Sequence, residues 1–112
     1  GRPNEIVKVA MVSFAFNPEE LSLEPGNIVE FQVTNSDGVS HTFTIRDWDV
    51  DLELPPGETR TVETRVPEND DSTGWGCRFH STMRGTISLP GSEVPAIGGK
   101  DVKESPKSGF GY

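Results

Sequence analysis

A single cysteine among 112 residues rules out an internal disulfide, so this chain must fold on its packing or on a bound group. Basic side chains are scarce: 10 Lys and Arg stand against 18 Asp and Glu, a net charge of -8 at pH 7. A phosphate backbone would be repelled by such a surface, which argues against a nucleic-acid partner. No apolar run approaches the roughly 20 residues of a membrane-spanning helix, and no signal-peptide pattern opens the chain. The expectation is a soluble domain or mature fragment, with any membrane anchor lying outside this chain. Missing too is any sustained helical period with caps.

What is present is the vocabulary of short strands. Twelve Gly and nine Pro accompany many Val and Thr, as in chains of short strands joined by frequent turns. Residues 6–12 are apolar and β-branched, broken by Lys8. Along 28–34 the alternation is strict: Val29, Phe31 and Val33 share one face, and Glu30, Gln32 and Thr34 the other. Residues 42–46 alternate again, with Phe43 and Ile45 pointing inward. Residues 59–66 and 86–89 predict further strands, and a short one leads through Trp75 to Cys77. Asn17-Pro18, Pro25-Gly26, 35–38 and Pro55-Pro56-Gly57 supply turns, and 68–74 a polar, acidic loop. The prediction is an all-β, Greek-key β-sandwich of about seven to eight strands, formed by residues 1–90. Residues 91–112, rich in Gly, Ser, Pro and Lys, are expected to be a flexible tail or linker, with Phe110 and Tyr112 as possible docking points.

The chemistry lies in Cys77-Arg78-Phe79-His80-Ser81-Thr82-Met83, where thiol, imidazole and thioether recur at three-residue intervals. Any one of them alone would read as packing. Together they form a soft donor set, and two His, one Cys and a weak axial Met select copper in a blue site. Zinc accepts the same His and Cys donors but has little use for a thioether. The fourth donor must be His41, the one other histidine, at the start of an alternating strand. A strand-end His and a loop between the last two strands can meet at one end of a sandwich, and no histidine remains for a second metal.

The ligand loop with Arg84-Gly85-Thr86-Ile87 behind it, and the 35–43 stretch ending in His41-Thr42-Phe43, resemble the cupredoxins, most closely plastocyanins and amicyanins. The likeness spans roughly 28–89. It implies that His41, Cys77 and His80 form a trigonal plane around one type 1 copper, with Met83 as a long axial ligand. It implies outer-shell roles for Asn35 and Thr42, the Thr42 N–H donating to the Cys77 sulfur. Thr42 stands where plastocyanins usually carry Asn. The resemblance also makes the edge of His80 the electron gate, within an apolar patch to which Phe79 and Met83 would contribute. It gives Trp75 the place of the family's usual core aromatic, and implies work outside the cytoplasm, in a periplasm, a lumen or at the outer cell surface.

The expected function is electron transfer by one copper cycling between Cu(I) and Cu(II), without catalysis or a small-molecule substrate. Redox proteins are the expected partners, a basic docking surface being the kind the acidic balance would favour, and the chain is expected to be a monomer. Alternatives are a copper carrier or storage protein, the electron-input domain of a larger copper redox enzyme, and a metal-free adhesion sandwich. The acidic run Asp47-Trp48-Asp49-Val50-Asp51-Leu52-Glu53 lacks the glycine and flanking helices of a calcium loop, and reads as the solvated face of an edge strand. With Glu68, Asp70 and Asp71 it could instead form part of a docking patch.

Overall fold

The computed structural model describes residues 2–68 and 72–90, so Asp70, Asp71 and the expected tail with Phe110 and Tyr112 lie outside the described residues. Nine strands follow in order: β1 (Glu5–Val12), β2 (Ala15–Asn17), β3 (Glu20–Ser22), β4 (Ile28–Asn35), β5 (His41–Ile45), β6 (Val50–Leu54), β7 (Thr59–Arg65), β8 (Thr73–Cys77) and β9 (His80–Ser88). They form a sandwich of two sheets, ordered β2-β1-β4-β7 and β3-β9-β8-β5-β6. β1 runs parallel to β4 and β3 parallel to β9, and the other pairings are antiparallel. The strand count exceeds seven to eight because β2 and β3, three residues each, are too short to show a period.

The period-2 pattern of β4 is realised: Val29, Phe31 and Val33 are fully buried, while the polar residues between them are half-buried. Val7, Val9 and Met11 of β1 lie beside them across the parallel ladder, on the same inner face. From the second sheet come Phe43, Ile45, Trp75 and Ile87. Phe16, Phe31, Phe43 and Trp75 make edge and tilted ring contacts at 5.1–6.3 Å in the middle of the core. The acidic run divides into a 3-10 turn (Arg46–Trp48) and β6, which is an edge strand with Asp51 and Glu53 exposed.

One expectation about the site's framework is corrected. The last strand begins not near Thr86 but at His80, so His80 and Met83 sit on β9 rather than in an open loop. The link from β8 to β9 is only Arg78-Phe79, because Cys77 pairs directly with His80. The next pair is Gly76 with Arg84, so residues 81–83 form a bulge with no partner opposite. That bulge reconciles a three-residue ligand spacing with a continuous strand pair.

Candidate metal centre

Three strand ends of one sheet supply the donors. His41 opens β5, Cys77 closes β8 and His80 opens β9, and all three lie at the same end of the sandwich. Their ligand atoms lie within 4.8 Å of one another. Cys77 Sγ is 3.9 Å from His41 Nδ1 and 3.5 Å from His80 Nδ1. Metal–ligand bonds of about 2.0–2.3 Å place neighbouring donors some 3.5–3.7 Å apart in trigonal or tetrahedral sets, so these separations fit one ion. Met83 is only 1 % exposed and lines a hollow shared with Cys77. A thiolate, two imidazoles and a buried thioether are donors suited to copper.

The surroundings fix these side chains. Cys77 Sγ accepts the Thr42 N–H at 3.3 Å, as the sequence resemblance implied. The Thr42 hydroxyl does further work at the place where plastocyanins usually carry Asn. It accepts the backbone N–H of Arg78 at 2.8 Å and donates to Thr44 Oγ1, 2.9 Å away, which in turn donates to Asp51 at 2.8 Å. Asp51 also accepts the Arg78 Nε–H at 2.9 Å, closing a ring of bonds that ties the residue after Cys77 to β5 and β6. The Arg78 guanidinium, then the Thr44 hydroxyl, holds the Asp51 carboxyl below its ordinary pKa. Thr42→Val keeps the shape but removes the acceptor for Arg78 N–H. We expect a loss of about 1–3 kcal/mol in chemical denaturation of the apoprotein, with Thr42→Ser close to wild type.

Asn35 is fully buried and holds the loop before His41: its amide donates to Val39 O and Leu54 O, and its Oδ1 accepts Asp37 N–H. Sequence reasoning missed what that loop carries. Asp37 Oδ2 accepts His41 Nε2–H at 2.8 Å. A carboxylate can only accept, so Nε2 carries a proton, and Nδ1 is the ring nitrogen that faces Cys77. Such carboxylate–histidine pairs orient metal ligands and raise their basicity.

The same carboxylate accepts the backbone N–H groups of Ser13 and Phe14 at 2.7 and 2.8 Å. These bonds, that of Phe14 foremost, followed by the bond to His41, keep Asp37 below its usual pKa. Ser13 and Phe14 form the two-residue turn between β1 and β2, with φ of 53° and 60°. Left-handed backbone costs a residue with a side chain about 1–2 kcal/mol. The Phe14 ring meets His41 edge-on at 5.1 Å and His80 at 4.9 Å, while the two imidazoles are 5.0 Å apart.

The exposed apolar surface at this end differs from expectation in one member. Met83 is buried and contributes nothing to it. Phe79, at 46 % exposure, does contribute, and Phe14 at 47 % takes the place assigned to Met83. Val39, two residues before His41, adds a third exposed apolar group. Phe14 carries no turn or ligand signal, and only the apolar character of an exposed hairpin tip could have drawn attention to it.

Fold and site together define a β-sandwich with a Cys-His-His cluster that could hold a metal ion, and a Met adjacent to it. The chain belongs to the cupredoxin-like domain family, whose model matches residues 2–88. Comparison with curated proteins gave no match. Among solved structures, the periplasmic domain of cytochrome oxidase subunit II (CoxB) of Bradyrhizobium japonicum is similar at 14 % identity, covering 80 % of this chain and 86 % of that one, with a TM-score of 0.67. Auracyanin A, a blue copper protein of Chloroflexus aurantiacus, is 13 % identical over 75 % of this chain and 97 % of its own, with a TM-score of 0.66. The copper nitrite reductase of Thermus scotoductus SA-01 is 25 % identical over 74 % of this chain and 22 % of that one, with a TM-score of 0.57.

Proposed function

We propose that this domain is an electron carrier in which His41, Cys77 and His80 hold one type 1 copper ion and Met83 is its weak axial donor. The observation that supports this most is the convergence of one buried cysteine sulfur and two imidazole nitrogens at spacings suited to a single ion. When bound, copper supplies a one-electron couple between Cu(I) and Cu(II). The protein's part is to hold its donors still. Strand ends fix His41 and Cys77, Asp37 and Thr42 fix their orientations, and the core covers Met83. Small movement between oxidation states favours fast transfer. Three of the four donors are buried, which limits the access of a substrate to the site, so the reading is of a carrier rather than an enzyme.

His80 is half-buried, whereas the other three are buried, and it is flanked by the exposed rings of Phe14 and Phe79. Electrons would pass through its edge to a redox protein docked on that apolar end. The net charge of -8 favours a partner with a basic rim. The likeness to a periplasmic oxidase domain supports work outside the cytoplasm, as well as a second reading in which this domain passes electrons within a larger oxidase or reductase. Residues 1–90 would be the working unit, with 91–112 a tail or linker. Cyclic voltammetry of the copper-loaded protein should give a reversible one-electron wave. A copper centre that does not cycle, or copper that passes readily to a chelator in both oxidation states, would replace electron transfer with copper delivery.

A further inference from the structure

The β1–β2 turn is built against its own backbone preference. A two-residue hairpin with both central φ angles positive favours Asn and Gly, yet here it holds Ser13 and Phe14. A bulky residue in left-handed backbone persists only where its surroundings over-determine it, and such sites cluster where function needs them. The over-determining group is Asp37, whose two carboxylate oxygens accept both turn N–H groups. The same Asp37 holds His41. The outcome is a phenyl ring set edge-on against both imidazoles of the metal centre, its other side in water.

We infer that Phe14 is a positioning residue, a strained roof that Asp37 pins over His41 and His80 to slow metal loss and keep water and competing ligands away. The inference rests on the proposed metal-binding reading. It separates two properties that ordinary packing would keep together. Removing a ring that merely fills space should weaken the fold. Removing this one with Phe14→Gly relieves left-handed backbone at a position where glycine is at ease, so the apoprotein should melt no lower than wild type. The metal centre, by contrast, should open.

The test compares wild type, Phe14→Gly and Phe14→Tyr in two measurements: thermal melting of the apoprotein, and transfer of copper(I) from the reduced protein to excess bicinchoninate. Phe14→Gly should melt at or above the wild-type temperature and release copper about tenfold faster or more, in line with losses at other groups that support metal ligands. Phe14→Tyr, which keeps the ring, should release at the wild-type rate. An unchanged release rate in Phe14→Gly from a blue wild-type protein would overturn the roof and leave the copper reading standing. A lower apoprotein melting temperature in Phe14→Gly would overturn the claim that the turn is strained to place the ring. A wild type that forms no thiolate–copper band would remove the metal-binding reading and the roof with it.

Discussion

Cys77→Ser should abolish the intense visible band of the copper-loaded protein and widen its narrow copper hyperfine splitting to that of an ordinary copper complex. The band is charge transfer from a thiolate, and Cys77 is the one cysteine in the chain, so no other sulfur can supply it. Serine differs by a single atom and is not ionised near neutral pH. It offers a hard oxygen, with no low-energy electron to excite. The buried setting sharpens the effect, since Sγ accepts the Thr42 N–H and is shielded from solvent. The fold should survive, because Cys77 Sγ contributes little apolar volume and the hydroxyl can still accept from Thr42. One equivalent of Cu(II) added to each apoprotein, followed by absorption and EPR, checks the prediction. A band that persists in Cys77→Ser would remove the thiolate from the site.

Gly85→Ala should have the largest effect on stability. Gly85 lies directly opposite Trp75 across the β8–β9 ladder, and the indole lies over it. An added Cβ would stand 2.3 Å from Trp75 Cζ2 and 2.5 Å from Cε2 and Cη2. The indole cannot swing away, since Phe16 and Phe43 hold it at ring-centre distances of 5.6 and 5.8 Å within the core. Backbone must therefore move on β9, the strand that carries His80 and Met83. Overpacking of this kind costs about 3 kcal/mol or more. For a domain of this size that lowers the melting temperature by roughly 12–24 °C. Gly38→Ala is the control: its Cβ would meet nothing within 4 Å, so its melting temperature should stay near wild type. Comparable melting of the two variants would show that the indole has another place to go.

Much of this was legible in the sequence because it depends on short-range pattern. The alternation of β4 states which side chains go inward, and no distant contact is needed to read it. The thiol, imidazole and thioether spacing of 77–83 carries its chemistry locally. It does not say which way each group faces. Met83 turned inward because the bulge at 81–83 returns the strand to register at Arg84. The start of β9 at His80 was hidden for the same reason, since the bulge breaks the alternation. Asp37 was unreadable for another reason. Within Asn35-Ser36-Asp37-Gly38 an aspartate has the chemistry of any turn, and its contacts with Ser13 and Phe14 span 24 and 23 residues. Only the parallel pairing of β1 with β4, which sets Met11 beside Asn35, brings that hairpin tip to that loop.

The donor geometry also bears on how the chain is held shut. Three of the four donors fall within seven residues, but His41 is 36 residues from Cys77, so an ion bound by both closes a long loop from β5 to β8. A covalent bridge across a loop of that length restricts the unfolded chain by about 3–4 kcal/mol. With a single cysteine the protein cannot make such a bridge from sulfur alone. A metal held in common by His41 and Cys77 would serve as that cross-link, tying the lifetime of the folded state to the occupancy of the site.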